Sequence, residues 1–209
     1  MYFSSMGPTC RRLLTFLVSA TIMVTASISE AKYASIVMDA NTGKVRHSIN
    51  ADTRNFPASL TKVMTLYLLF EAIDAKKLSL NSRLKVSRRA SMQPASRLGL
   101  KPGQTISVRE AVTALIVRSA NDVATVVAET LAGSERRFAQ VMTHRARQIG
   151  MNRTTFRNAS GLPHRGQMST AKDMATLTRR MISRFPQYYY MFSKTSFSYK
   201  GRRYRSHNK

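Results

Sequence analysis

The chain has 209 residues, enough for one sizeable domain with a buried core, and its 43% hydrophobic content excludes a generally disordered protein. Lys and Arg number 34 against 10 Asp and Glu, a formal charge of +24, so polyanions such as nucleic acid, anionic lipid or acidic envelope polymers will attract it. Cys10 is the one cysteine, which excludes an intramolecular disulfide and a cysteine-ligated metal site.

Residues 1–31 read as a secretory signal. Arg11-Arg12 supplies a positive start, residues 13–26 are uncharged and mostly apolar, and Ser29-Glu30-Ala31 places small residues at both ends of a cleavage triplet. The run is shorter than the roughly 20 residues of a membrane span. An uncleaved N-terminal anchor is the alternative. The expectation is export to the periplasm or cell envelope, with residues 32–209 forming one domain.

Residues 34–39 look like a strand, Asn41-Thr42-Gly43 is a turn signal, and residues 44–49 can return as the second strand of a hairpin. Phe56-Pro57 breaks that pattern. Residues 59–75 are helical in character and present little polar surface, so this helix is expected to be buried nearly all round. Residues 76–106 read as irregular, with Pro94, Gly99, Pro102 and Gly103 as punctuation. Ser107-Val108-Arg109-Glu110 is a capping box that opens a helix to about Arg118. Residues 119–122 interrupt it, and a second helix runs from 123 to 132 and ends at Gly133. Ser134 can cap a third, with Phe138, Val141, Met142 and Ile149 as its apolar stripe and Gly150 as its end. A loop over 154–165 follows, and Ser169 or Thr170 caps a last helix to about Arg184. The tail reads as a hairpin, Ser196–Tyr199 and Arg202–Arg205 flanking Lys200-Gly201. Strands, then helices, then strands imply an α+β fold, an antiparallel sheet with a helical cluster.

His47, His144, His164 and His207 show no metal-ligand spacing, which argues against a zinc hydrolase. There is no glycine-rich phosphate loop, and no G-x-S-x-G elbow of the α/β-hydrolase kind. The remaining candidate is Ser59-Leu60-Thr61-Lys62. Positions i and i+3 share a helix face, and a serine hydroxyl needs a neighbour to take its proton. A lysine one turn on can do so where apolar surroundings destabilise its ammonium. A helix N-terminus adds free N–H groups toward a developing oxyanion.

The pattern S-x-x-K also occurs at Ser29, Ser82, Ser169 and Ser206, so it carries little information alone. Ser59 differs because it follows Pro57-Ala58 and opens a strongly apolar helix. The second element is Ser119-Ala120-Asn121, in the break between two apolar helices, where a hydroxyl and a carboxamide can face a cleft. S-x-N recurs at Ser48, Ser79 and Ser206, and Ser119 can also be read as the cap of the following helix.

Taken together these segments resemble the serine D-alanyl-D-alanine carboxypeptidases, the low-molecular-mass penicillin-binding proteins, which have a β-lactamase-like fold. The resemblance runs through Ile36-Val37-Met38-Asp39-Ala40-Asn41-Thr42-Gly43, Phe56-Pro57-Ala58-Ser59-Leu60-Thr61-Lys62, Ser119-Ala120-Asn121-Asp122, Asn158-Ala159-Ser160-Gly161-Leu162-Pro163 and the tail over 197–208. It implies Ser59 as the acyl-enzyme nucleophile, Lys62 as its general base, Ser119 as the proton relay to the leaving amine, and Asn121 as the group that holds the substrate amide. It also implies peptidoglycan stem peptides ending in D-Ala-D-Ala as substrate, β-lactams as inhibitors, and no metal or organic cofactor.

The family's third motif, Lys-Thr-Gly, is not found. Lys194-Thr195-Ser196 lies before the tail hairpin, on the wrong side of it, and is read as a coincidence. The expectation is a chain truncated before that motif, with its sheet incomplete at the C-terminal end and its carboxypeptidase activity weak or absent. A binding-only relative that holds peptidoglycan or penicillin without turnover is the main competitor, and a β-lactamase is a lesser one. A specific nucleic-acid-binding protein is disfavoured, because the basic residues are dispersed among apolar helices and no reading motif is evident. An anionic envelope surface remains a partner in keeping with the charge.

Overall fold

The computed structural model of the protein describes residues 33–206; the export signal read at 1–31 lies outside the described residues. The described strands form three two-stranded antiparallel sheets around a helical cluster. The first pairs β1 (Ser35–Met38) with β2 (Val45–Ile49), its register slipping between Val37 and Met38. Asp39 shapes the turn by accepting from the N–H groups of Asn41 and Thr42 at 3.1 and 2.8 Å. Every residue of β2 is exposed, and β1 is at most half-buried, so this hairpin lies at the surface.

A 3-10 turn (Ala58–Leu60) leads into α1 (Thr61–Asp74). Ten residues of α1 are buried, as the near-continuous apolar run over 63–73 predicts. Such a helix needs cover on several sides, and it packs against α3 (Val108–Arg118), α4 (Asn121–Ala132), α5 (Glu135–Gln148) and α6 (Ala171–Arg184). The first hairpin packs chiefly on α6. α1 takes its cover chiefly from the helix cluster. Arg179 of α6 ties the hairpin turn down, donating to the carbonyls of Ala40 and Asn41 at 3.1 and 3.0 Å.

The stretch read as irregular holds β3 (Arg83–Lys85), the short α2 (Arg88–Ser91) and β4 (Thr105–Ser107). β3 and β4 pair antiparallel and bury Leu84 and Ile106. Three-residue strands are too short to show periodicity in a sequence, which is why they escaped notice. The capping signals were better guides. Ser107 and Glu110 form the reciprocal capping box, Ser134 accepts from Arg137 N–H, and Thr170, not Ser169, caps α6. On α5 the apolar stripe is narrower than the spacing predicts: Phe138 and Met142 are buried, but Val141 is 46% exposed. α7 (Pro186–Tyr189) and a 3-10 turn (Tyr190–Ser193) carry the chain to the last hairpin, β5 (Ser196–Tyr199) with β6 (Arg202–Arg205). That hairpin packs on α3, and Tyr204 Oη–H donates to Leu98 O, in the loop between α2 and β4, at 3.3 Å.

Candidate active site

A cleft of about 440 Å3 opens at the start of α1. Ser59, Lys62 and Ser119 all line it, with Leu66, Leu115, Val117 and Phe192 among the apolar groups around them. Among the described residues no carboxylate lines the cleft. Three of the four residues singled out in the sequence therefore meet in one place, although some 60 residues of chain separate the two pairs. Asn121 is buried at the start of α4 and is not part of the lining. Its Nδ2 donates to Pro94 O at 3.0 Å, and its backbone N–H donates to Ser96 O at 2.7 Å.

The nucleophile candidate sits on the 3-10 turn and is exposed to the cleft. Ala58, just before it, has φ of +45°, and Ser119 has φ of +53°. Left-handed backbone costs a non-glycine residue roughly 1–2 kcal/mol, so tertiary contacts must hold both positions. Ser119 does not cap the following helix. It is the left-handed C-terminal residue of α3, and Ala120 begins α4 with no side-chain cap. This geometry turns the Ser119 hydroxyl out of both helical ladders.

Lys62 is only 3% exposed. Burial pushes its pKa down from 10.5 to about 8, because the apolar wall disfavours the ammonium. Its Nζ donates a short, buried hydrogen bond to Ser160 O, and one turn on Thr65 Oγ1 donates to Ala159 O at 2.7 Å. Residues 158–161 thus lie directly against the face of α1 that carries Lys62. Asn158 Oδ1 accepts from the N–H groups of Ser160 and Gly161, at 3.2 and 2.7 Å, and Gln167 Oε1 accepts from Arg157 and Asn158 N–H. Gly161 has φ of +88°, and a Cβ there would fall 1.9 Å from Ala58 O. The glycine is what lets this loop touch the peptide that precedes Ser59.

Glu135 anchors the loop from behind. It is 5% exposed; Oε2 accepts from Arg89 at 2.7 Å and Oε1 accepts from Ala159 N–H at 3.2 Å. Asp122, fully buried, accepts from the N–H groups of Leu98, Gly99 and Leu100 at 2.9–3.1 Å and so braces the segment beside Asn121. Sequence reading did not pick out Thr65, Glu135 or Gln167. The available signal for Glu135 was its rarity, an acid at the start of an amphipathic helix in a chain with only ten acids.

Among the described residues no group of three or more His, Cys, Asp or Glu side chains could hold a metal ion. The arrangement suits acyl transfer: a hydroxyl on a turn at a helix start, a desolvated amine one turn on, and a second hydroxyl across the cleft.

Comparison with known proteins places this geometry. The family model described as D-alanyl-D-alanine carboxypeptidase, peptidase S11, matches residues 21–209. The carboxypeptidase DacF of Bacillus subtilis is 32% identical over 174 residues, which cover 81% of this chain and 45% of that protein. The crystal structure of the carboxypeptidase DacD from Francisella tularensis superposes with a TM-score of 0.79 at 38% identity, covering 80% of this chain and 41% of the other. Penicillin-binding protein D2 from Listeria monocytogenes, in its ampicillin-bound form, gives a TM-score of 0.69 at 34% identity, covering 84% and 71%. The fold is that of the penicillin-binding proteins, α+β with antiparallel strands and a helical cluster, and the chain spans less than half the length of curated relatives such as DacF. On the match to residues 21–209, the chain belongs to the D-alanyl-D-alanine carboxypeptidase family of serine peptidases.

Proposed function

We propose that the protein acts on peptidoglycan stem peptides ending in D-Ala-D-Ala through an acyl-enzyme on Ser59. The observation that carries this reading is the buried Lys62, with its pKa lowered to about 8, in the same cleft as Ser59 and Ser119. Neutral Lys62 takes the Ser59 hydroxyl proton as Oγ attacks the carbonyl carbon of the scissile amide. Ser119 passes a proton to the leaving amine, the C–N bond breaks, and D-alanine departs from a serine ester. Water then hydrolyses the ester and restores the Ser59 hydroxyl. The resemblance gives Asn121 the task of holding the substrate amide; with Nδ2 held by Pro94 O behind the cleft lining, it braces the Ser119 turn rather than reaching the cleft directly. β-Lactams would acylate the same hydroxyl, a reading supported by the ampicillin-bound Listeria relative. Export to the periplasm or envelope follows from the signal read at residues 1–31; among the described residues no helix is long and apolar enough to cross a membrane.

The test is labelling by a fluorescent penicillin, with mass spectrometry to locate the adduct, alongside release of D-alanine from a D-Ala-D-Ala peptide. The expected adduct is on Ser59 and is lost in Ser59→Ala. Because the chain spans under half of its relatives' length, labelling without measurable D-alanine release would favour the binding-only relative. A Ser59→Ala protein that still labels at the same rate would end the proposal.

A further inference from the structure

A second concavity, about 510 Å3, lies between α5 and residues 155–157. One wall carries Arg136, Gln140, His144 and Arg147, spaced at three or four residues along a single face of α5. The facing wall adds Thr155 and Arg157. Among the described residues no carboxylate lines this groove, and none of its lining is shared with the Ser59 cleft.

The charge of the groove is not neutralised from within. Arg136, Arg147 and Arg157 take part in none of the ion pairs found among the described residues. Most of the described acids are committed elsewhere. Asp39, Asp52, Glu71, Glu110 and Glu135 pair with other cations, and Asp122 and Asp173 are occupied by backbone N–H and hydroxyl donors. Arg147 is already oriented, since one of its guanidinium N–H groups donates to Met151 O at 2.7 Å.

We propose that this groove binds an organic phosphate, as a monoester or a chain of diesters, at a site separate from the Ser59 cleft. A carboxylate offers two oxygens and one charge, which a single guanidinium fork satisfies. Three arginines lining two facing walls suit an oxyanion that presents oxygens in several directions and carries more charge. The volume falls within the roughly 300–1,000 Å3 of small-molecule sites, which leaves room for the organic group that carries the phosphate.

The experiment is isothermal titration of the whole 209-residue chain at pH 7.5 and fixed, near-physiological salt. Three probes are used: glycerol 3-phosphate, an oligomer of glycerol phosphate diesters, and an oligoglutamate of matched charge. The phosphates are expected to bind about tenfold or more tightly than the oligoglutamate. Binding of the monoester alone assigns a small phosphate ligand, and binding of the oligomer alone assigns a phosphate-bearing polymer. The double variant Arg136→Gln with Arg157→Gln is expected to lose about tenfold or more in affinity, and it leaves the Arg147–Met151 bond intact. A control with Arg54→Gln and Arg88→Gln removes the same charge away from the groove. Equal binding of all three probes, or equal loss in the control, would show attraction to net charge alone and overturn the site. A circular dichroism melt of each variant confirms that the comparison is between folded proteins, and penicillin labelling of Ser59 is expected to be unchanged in the double variant.

Discussion

Lys62 is an amine enclosed by apolar side chains, and its titration can be read in two ways. If it is the base that activates Ser59, penicillin acylation should climb with pH as the amine becomes neutral and level off above its pKa of about 8. A rate that is flat from pH 6 to 9 would remove Lys62 from that role. The stability signature has a defined sign. Between pH 8 and 10.5 the unfolded chain still holds a proton that the folded chain has released, so this group makes the fold more stable as pH rises through that window. Below pH 8 the penalty for burying the ammonium is fully present. Urea unfolding at pH 7.5 and pH 10 should therefore show the wild type gaining on Lys62→Met, and no relative gain would mean that Lys62 is not desolvated. Gly161 makes a second residue-scale claim. Gly161→Ala should destabilise by about 2–4 kcal/mol, from left-handed strain plus collision with Ala58 O, and should slow acylation by displacing the Ser59 turn. Gly133→Ala is the control, because Gly133 has φ of +73° but a new Cβ there would meet only Arg137 Nη1 at an ordinary 4.0 Å, so only about 1–2 kcal/mol of strain applies. Equal losses in the two variants would mean that the contact with Ala58 does not matter.

Among the elements, helix starts were the most legible, because capping is written in three or four adjacent residues. Ser107 with Glu110, Ser134 and Thr170 each cap the helix that their spacing predicts. What that local grammar cannot supply is the joint between elements. Glu135 starts α5, but its carboxylate joins Arg89 of α2 to the backbone of Ala159, and the next carbonyl in that loop receives Lys62. Glu135→Gln keeps the shape and removes the charge, and turns one acceptor into a donor facing either Arg89 or Ala159 N–H. It should cost about 1–3 kcal/mol in urea unfolding. It should also shift the acylation pH profile, because the Ser160 carbonyl that receives Lys62 is no longer braced. Loss of stability with an unchanged pH profile would show that Glu135 supports the fold without positioning Lys62.

At the scale of the whole molecule, the excess of 24 positive charges was plain in composition, but its consequence was not. The fold draws most acids into buried caps, braces and ion pairs, and thereby leaves arginines such as Arg136 and Arg157 to face solvent together. The sequence by itself determined the helices with strong caps, the two terminal hairpins and the candidacy of Ser59, Lys62, Ser119 and Asn121, because turn chemistry, capping and apolar runs act over a few residues. Only the tertiary structure decided that Ser59, Lys62 and Ser119 share one cleft while Asn121 sits behind it against Pro94, that the first hairpin leans on α6, and that residues 158–161 close over Lys62. Those facts depend on contacts between residues 27 to 139 positions apart, and no local pattern encodes which distant carbonyl a buried amine will find.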